Sequence, residues 1–236
     1  MNVKLSALAL GITLAYGATA AMAADAYIEQ TGNFSTAVIE QGNNNNSNVS
    51  ARITTSGWNN DHTIEQSRSE DVWATINAPG SFNTVTIEQN RLDYGGAQVY
   101  QAASGGSVSI DQGGTGYGYG GGGASQWAFV NQISGWGNDA SIVQRGRLVE
   151  AEVYQTGFNN TVDVNQRGTG SATEATVIQQ GSNHYASVRQ NGSGLIANVT
   201  QTGLGNVAMV DMSGRNHTAT VIQGGWGNTA RVTQSN

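Results

Sequence analysis

The chain has 236 residues, with 33 Gly, one Pro and no Cys, and its 10 basic and 16 acidic residues give a net charge of −6. An acidic chain without a basic run excludes an electrostatic nucleic-acid surface, and the lack of Cys excludes disulfides as a source of rigidity. Charged residues make up only 11% of the chain, a composition typical of either a disordered polar tract or a repetitive β architecture.

Residues 1–23 differ from the rest of the chain. Lys4 is followed by a mostly apolar stretch over residues 5–16, and Ala21-Met22-Ala23 has the small-x-small pattern of a cleavage site. This order predicts a secretory signal peptide that is removed near Ala23, because the apolar stretch is too short to span a bilayer. We therefore expect residues 24–236 to be exported.

From residue 24 onward the sequence repeats. The last unit shows the pattern most clearly, with Ala219, Val221, Gln223, Gly225 and Asn228 followed by a second Ala-x-Val-x-Gln segment. Nine units follow one another, and their closing residues lie 25, 23, 23, 32, 22, 24, 22 and 22 positions apart. The residue at the turn Gly position always precedes the closing position by nine. A repeat of this length indicates a stacked architecture.

Each half-unit alternates apolar and polar residues with a period of two, which predicts a β-strand with one buried face. One strand–turn–strand unit is too small to bury its own apolar face, so the copies are expected to stack in register about 4.8 Å apart. The sequence therefore predicts an all-β fold, a single-domain β-solenoid of about nine strand-turn-strand repeats with cross-β stacking over residues 24–236.

Amide side chains occupy inward positions of the repeat, where an isolated amide would be costly but a column of amides can bond to its own copies. The predicted inward amide ladder comprises Gln30, Gln41, Gln66, Gln89, Gln101, Gln112, Gln144, Gln155, Gln166, Gln179, Gln190, Gln201, Gln223 and Gln234. The predicted turn residues, chosen because Gly and Asn tolerate positive φ, are Gly32, Gly57, Gly80, Gly135, Gly157, Gly181, Gly203, Gly225, Asn60, Asn83, Asn138, Asn160, Asn206 and Asn228.

Two irregularities interrupt the repeat. The glycine-rich insertion 113–123 falls at the one large spacing and predicts a flexible loop bulging from one rung. The second to fourth units are degenerate, because Thr55, Ala78 and Ala103 replace the first Gln or the Gly.

The pattern Gln-x-Gly-x-x-Asn-x-Ala-x-x-x-Gln resembles the curlin repeat. It is complete from Gln223 to Gln234, and the segment from Gln201 to Met212 lacks only the last Gln. The resemblance implies export through an outer-membrane pore and polymerisation into extracellular curli amyloid fibres on the cell surface, which support adhesion and the biofilm matrix. It implies self-association and a related fibre subunit as partners. Departures from the family pattern, notably the early start of the repeat at Ala26, leave both the major subunit and the nucleator as possible roles.

No pattern indicates catalysis, a cofactor or a metal site. The Ser and Thr residues lack a recognisable His and Asp partnership, and His62, His184 and His217 are isolated, whereas metal ligands come in groups at short spacing. We therefore expect a structural protein rather than an enzyme. The alternative is a monomeric exported β-solenoid adhesin whose ends are protected.

Two outward features each allow two interpretations. Apolar residues near the turn Gly either pack over the corner of the solenoid and shield the Asn column, or form an exposed stripe. They are Phe34, Trp58, Phe82, Trp136, Phe158, Leu204 and Trp226. Glu40, Glu65, Glu88 and Asp111 are expected to form one outward column, which is either a solvated face or a sensor of pH or cations.

Overall fold

The computed structural model describes residues 12–16, 24–42, 48–114 and 125–236. Within these ranges the chain forms 17 strands and no helix. The strands are β1 Ile12–Tyr16, β2 Ala24–Gln30, β3 Thr36–Gly42, β4 Val49–Thr55, β5 Asp61–Ser67, β6 Val72–Ala78, β7 Thr84–Asn90, β8 Tyr94–Gln101, β9 Ser107–Gly113, β10 Ser125–Trp136, β11 Asp139–Phe158, β12 Thr161–Ser182, β13 Tyr185–Ser193, β14 Ile196–Leu204, β15 Val207–Arg215, β16 Thr218–Trp226 and β17 Thr229–Ser235.

The strands stack into two parallel faces, because each strand segment pairs with the equivalent segment one rung away. The long strands β11 and β12 run through a turn and contribute one segment to each face, so they also pair with strands next to them in sequence. Face A contains β1, β3, β5, β7, β9, the first parts of β11 and β12, then β13, β15 and β17. Face B contains β2, β4, β6, β8, β10, the second parts of β11 and β12, then β14 and β16. The all-β, nine-turn solenoid predicted from the sequence is confirmed.

The core consists of columns of small and branched apolar residues that face each other between the two sheets. On face B, for example, Ala151 and Val153 lie over Ala175 and Val177 in the next rung, and all four are buried. The same Ala and Ile or Val columns run from Ala37 to Val221, whereas Ala230 and Val232 in the last rung are only partly buried. The last rung thus leaves apolar surface at one end of the stack.

The glycine-rich insertion leaves the register intact. Residues 115–124 lie outside the described part of the chain, so the predicted loop 113–123 is described only at its start. On either side of it β8 and β10 pair without a shift, with Ala97 opposite Ala128 and Val99 opposite Val130.

Most of the predicted signal peptide also lies outside the described residues. Its described part, β1, pairs with β3 at the first rung, with Leu14 opposite Ile39. No helix in the described ranges is long and apolar enough to cross a membrane.

Candidate functional site

A column of glutamines runs along face A. The Nε2 group of each one donates to the Oε1 atom of the next, at 2.8 to 3.0 Å. The members are Gln41, Gln66, Gln89, Gln112, Gln144, Gln166 and Gln190. All but Gln41 in the first rung are buried. The next position holds the buried Met212, which ends the chain of hydrogen bonds before Gln234.

A second column runs along face B. It links Gln101, Gln132, Gln155, Gln179, Gln201 and Gln223 by the same side-chain hydrogen bonds of 2.8 to 3.0 Å. Thr55 and Ala78 occupy the equivalent positions in the second and third rungs. Gln30 in the first rung is therefore separated from the rest of the column.

The same Nε2 groups also tie the two faces together. Gln155 donates to the carbonyl oxygen of Asp139 at 3.0 Å, and Gln166 donates to that of Glu150 at 2.7 Å. In each case the acceptor lies 16 residues earlier, on the opposite sheet. A buried amide thus satisfies its two donors by one bond along the stack and one bond across it, which is why a polar side chain is tolerated in the core.

Gln132 and Gln126 were not among the residues predicted from the sequence. Gln132 precedes Gly135 by three positions instead of two, and the extra residue forms a bulge between Gln132 and Ser134. The bulge leaves Ile133 exposed and keeps Gln132 in the column. Gln126 is buried and donates to the carbonyl oxygens of Gly113 and Gly146 at 3.0 and 2.9 Å. The prediction from the sequence relied on the strict spacing of the other units and therefore missed both residues.

The asparagine column bonds differently from the glutamine columns. The Oδ1 atom of Asn138 accepts the main-chain N–H of Asn160 in the next rung at 3.1 Å. Its Nδ2 group donates to the carbonyl oxygens of Ser134 and Gly157. Asn60, Asn83, Asn160 and Asn206 also accept a main-chain N–H from the rung above. The predicted amide-to-amide bond is present in the last step, where the Nδ2 group of Asn228 donates to the Oδ1 atom of Asn206 at 3.1 Å. The other column asparagines bond mainly to turn main chain.

The positive φ values of the turns also fall on partly different residues from those predicted. Gly32, Gly57, Gly135, Gly157, Gly181, Gly203 and Gly225 have φ between 92° and 127°, whereas Gly80 does not lie in the positive region. The column asparagines are not in this region, and the preceding residue adopts it instead, as at Asn59 and Asn159. The predicted role of Asn60 and Asn160 as positive-φ residues is wrong, because the residue before each of them takes the positive φ of the turn.

The sequence of these rungs matches a known family. The curlin associated repeat matches at residues 135–168, 149–181, 170–203 and 197–225. The chain belongs to the curlin family. No curated protein matches the chain.

The turn residues of this curlin form an exposed stripe. Phe34, Trp58, Phe82, Trp136, Phe158 and Trp226 are 50% to 81% exposed, and Leu204 is 39% exposed. Ring pairs form within the stripe, with centroids 5.9 Å apart for Phe34 and Trp58 and 6.0 Å apart for Phe82 and Trp136. Their exposure favours the interpretation as an exposed stripe over that of a cover for the Asn column.

The outward carboxylates of the curlin chain form the predicted column. Glu40, Glu65, Glu88 and Asp111 lie opposite one another in four successive rungs. Partial burial, together with the charges of Glu88 and Glu40, raises the pKa of Glu65 above its usual value. Asp111 at the end of the column forms an ion pair with Arg145. Within the described residues no group of three His, Cys, Asp or Glu side chains is placed to hold a metal ion.

The histidines occupy repeat positions. His62 takes a position in the Ala column, opposite Ala37 and Val85, and neither ring nitrogen has a hydrogen-bond partner there. Burial lowers its pKa to about 4, which outweighs the opposing effect of the Asp61 main chain. His184 takes the Asn position and accepts the N–H of Asn206 through Nδ1 at 3.2 Å. His217 lies at the opposite turn, in register with Leu195.

Proposed function

We propose that this curlin chain is the structural subunit of an extracellular amyloid fibre, and that copies add end to end so that one solenoid continues into the next. The support comes from the two ends of the stack, which carry the same inward residues. Ala219, Val221 and Gln223 of β16 would meet Ala26, Ile28 and Gln30 of β2 in the next copy. Ala230, Val232 and Gln234 of β17 would meet Ala37, Ile39 and Gln41 of β3.

The observation that carries the proposal is an unsatisfied acceptor at the first rung. The Oε1 atom of Gln30 is buried and has no hydrogen-bond partner among the described residues. In every complete step of the face B column this atom accepts the Nε2 group of the preceding Gln. A second copy stacked at this end supplies that donor from its Gln223. An unpaired buried acceptor costs about 1–3 kcal/mol, so stacking removes a cost that the single chain bears.

Among the described residues, the main chain of the last rung has no strand partner on its outer side. In the rung below, the N–H of Val207 donates to the carbonyl oxygen of Asn228, toward the end of the stack. Because N–H groups alternate in direction along a strand, those of Thr229, Arg231 and Thr233 point away from the described chain. An edge strand with outward N–H groups of this kind is a template for strand pairing.

We place this fibre at the cell surface after export through the outer membrane, where it supports adhesion and the biofilm matrix together with a related fibre subunit. The family membership supports this placement, and the leader 1–23 fits it. A role in catalysis is not part of the proposal.

The test uses a variant that can add to a growing fibre but blocks the addition of further copies. Thr233→Pro removes one outward N–H and leaves the bonds within the chain intact, so the variant folds and adds to a fibre through its first rung but offers a blocked last rung. We expect substoichiometric amounts of this variant to stop growth of wild-type fibres at one end, with Thr233→Ala as the matched control. Growth is followed by light scattering of the mature chain.

Fibre diffraction separates this proposal from the monomeric adhesin. A stacked curlin fibre gives reflections near about 4.8 and 10 Å. A mature chain that remains monomeric for days at micromolar concentration would favour the adhesin and contradict the proposal. Growth in the presence of Thr233→Pro at the wild-type rate would contradict end-to-end pairing through β17.

A further inference from the structure

A groove lies on the outer side of face B, away from the ends that stack. Its volume is about 340 Å³, and its walls are formed by side chains from four successive rungs. Trp73, Trp127, Phe129 and Tyr154 supply aromatic surface, and Glu150 and Glu152 supply negative charge. Since the register places Trp127 opposite Glu150 and Phe129 opposite Glu152, the aromatic and acidic walls are directly adjacent.

The aromatic wall depends on a glycine in the outward column. Gly96 lies between Trp73 and Trp127 in the outward column, and a Cβ atom there would overlap the Trp73 ring. The two indole rings therefore approach each other across one rung, with centroids 5.8 Å apart and planes inclined at 60°. Phe129 and Tyr154 form a second inclined pair at 5.5 Å and 56°. The groove is therefore lined by two inclined ring pairs rather than by one flat aromatic surface.

The acidic wall has no cation from the chain itself. Neither Glu150 nor Glu152 takes part in the ion pairs found among the described residues, which join Arg52 with Glu29 and Arg145 with Asp111. Partial burial and the neighbouring charges of Glu152 and Glu174 raise the pKa of Glu150, as expected for carboxylates that lack a compensating cation. The only lysine of the sequence is Lys4, in the predicted leader.

We propose that this groove binds a small organic cation of the quaternary ammonium class. Inclined Trp, Phe and Tyr rings bind such cations through the negative faces of their π systems, and the adjacent carboxylates supply the opposite charge. A neutral sugar would stack on the same rings but would gain nothing from the charge of the adjacent carboxylates, so the acidic wall favours a cation. The groove lies on the side of the stack, so it is open both in a single chain and in a fibre.

The test compares choline with its neutral carbon isostere 3,3-dimethylbutan-1-ol, both titrated into the mature chain while tryptophan fluorescence is recorded. We expect choline to bind at least about 10-fold more tightly, because the isostere matches its shape but has no charge. Glu152→Gln, which keeps the size of the side chain, and Trp127→Leu are each expected to weaken choline binding about 5- to 10-fold.

The matched controls are Glu40→Gln and Trp136→Leu, which make the same exchanges on face A and at the turn. They are expected to leave choline binding unchanged. Equal binding of choline and the isostere, no saturable choline binding, or equal losses in the control variants would overturn the proposal. Groove-dependent binding of methyl glucoside at the affinity of choline would overturn it in favour of a sugar site. Because the readout does not depend on polymerisation, a failed fibre assay leaves this result intact.

Discussion

At the scale of single residues, the columns are interrupted where one side chain breaks the pattern. His62 fills an Ala position without hydrogen bonds to its ring, and Met212 fills a Gln position without an amide. Both are fully buried. Each side chain therefore lacks contacts that the other members of its column make. Substituting the residue found in neighbouring rungs is expected to restore those contacts.

His62→Val is expected to raise stability most in acid. Since burial lowers the pKa of His62 from 6.5 to about 4, the unfolded chain binds a proton below pH 6.5 that the folded chain does not bind until about pH 4. Stability is therefore lost as pH falls through this window, by about 3 kcal/mol in total at about 1.4 kcal/mol per pH unit.

Guanidinium unfolding between pH 7 and 4 measures the difference. The substituted side chain then matches Val85 in the next rung, and the fall in stability across the window should be absent. Val162→Ala, at the equivalent column position of another rung, serves as the control: it removes buried apolar surface but no titratable group and should keep the wild-type pH dependence. A His62→Val variant that still loses about 3 kcal/mol over the window would show that another group causes the loss.

Met212→Gln is expected to stabilise the last two rungs by about 1 kcal/mol. The two side chains are similar in length, so the exchange creates no cavity. The new amide accepts from Gln190 and donates to the Oε1 atom of Gln234, which is buried without a partner in the described structure. The midpoint of guanidinium unfolding measures the gain. Met209→Gln makes the same exchange on the exposed side of β15 and should be neutral. A loss of stability at Met212 would mean that burial of the thioether outweighs the hydrogen bonds.

At the scale of the element, the turn glycines allow the rungs to approach each other. Gly157→Ala is expected to destabilise the chain by about 2 kcal/mol or more, because the residue has φ of 113° and an added Cβ would overlap the carbonyl oxygen of Gly181. Gly224→Ala is the control, since its Cβ would meet only the Thr202 hydroxyl at an ordinary 3.5 Å. Thermal unfolding compares the two variants. Equal effects would show that the turns can widen without cost.

The strands and their register could be predicted because Ala, Ile or Val, and Gln recur at fixed spacing. The outward column of Glu40, Glu65 and Glu88 followed from that spacing even through the degenerate units. The bulge at Gln132 could not be predicted, because an inserted residue shifts the apparent pattern while the fold keeps the amide in place. Exposure of the turn rings was equally hidden, since alternation says nothing about side chains outside a strand.

At the scale of the whole molecule, the column of carboxylates opposes stacking at neutral pH. Glu65 has a pKa raised above its usual value, mainly by partial burial and then by Glu88 and Glu40. The contribution of Glu65 to the stability of the folded chain therefore becomes more favourable as pH falls through its raised pKa toward its ordinary value of 4.5. The effect of His62 has the opposite sign, because its lowered pKa costs stability as pH falls below 6.5. The two effects are separated by working in the His62→Val background.

In that background, replacing Glu40, Glu65 and Glu88 by Gln is expected to increase stability at pH 7 and to remove the gain that added salt gives the parent chain, because salt screens exposed charges. Asp111 is left in place since it pairs with Arg145. Guanidinium unfolding at low and high NaCl gives the comparison. An unchanged salt dependence in the triple variant would mean that the repulsion lies elsewhere.

In several rungs the two turns follow nearly the same local order, Gln-x-Gly-x-x-X-x-Ala, as from Gln201 to Ala208 and from Gln190 to Ala197. A rung is therefore almost unchanged by a half-turn about the long axis of the stack. A copy arriving half a turn out of phase still places Ala on Ala and Gln on Gln. What distinguishes the two orientations is X, which is Asn206 at one edge and Leu195 at the other. If copies stack as proposed, a polar residue at one edge disfavours addition half a turn out of phase. Exchanging Asn228 of the last rung for Leu is then expected to increase such stacking faults.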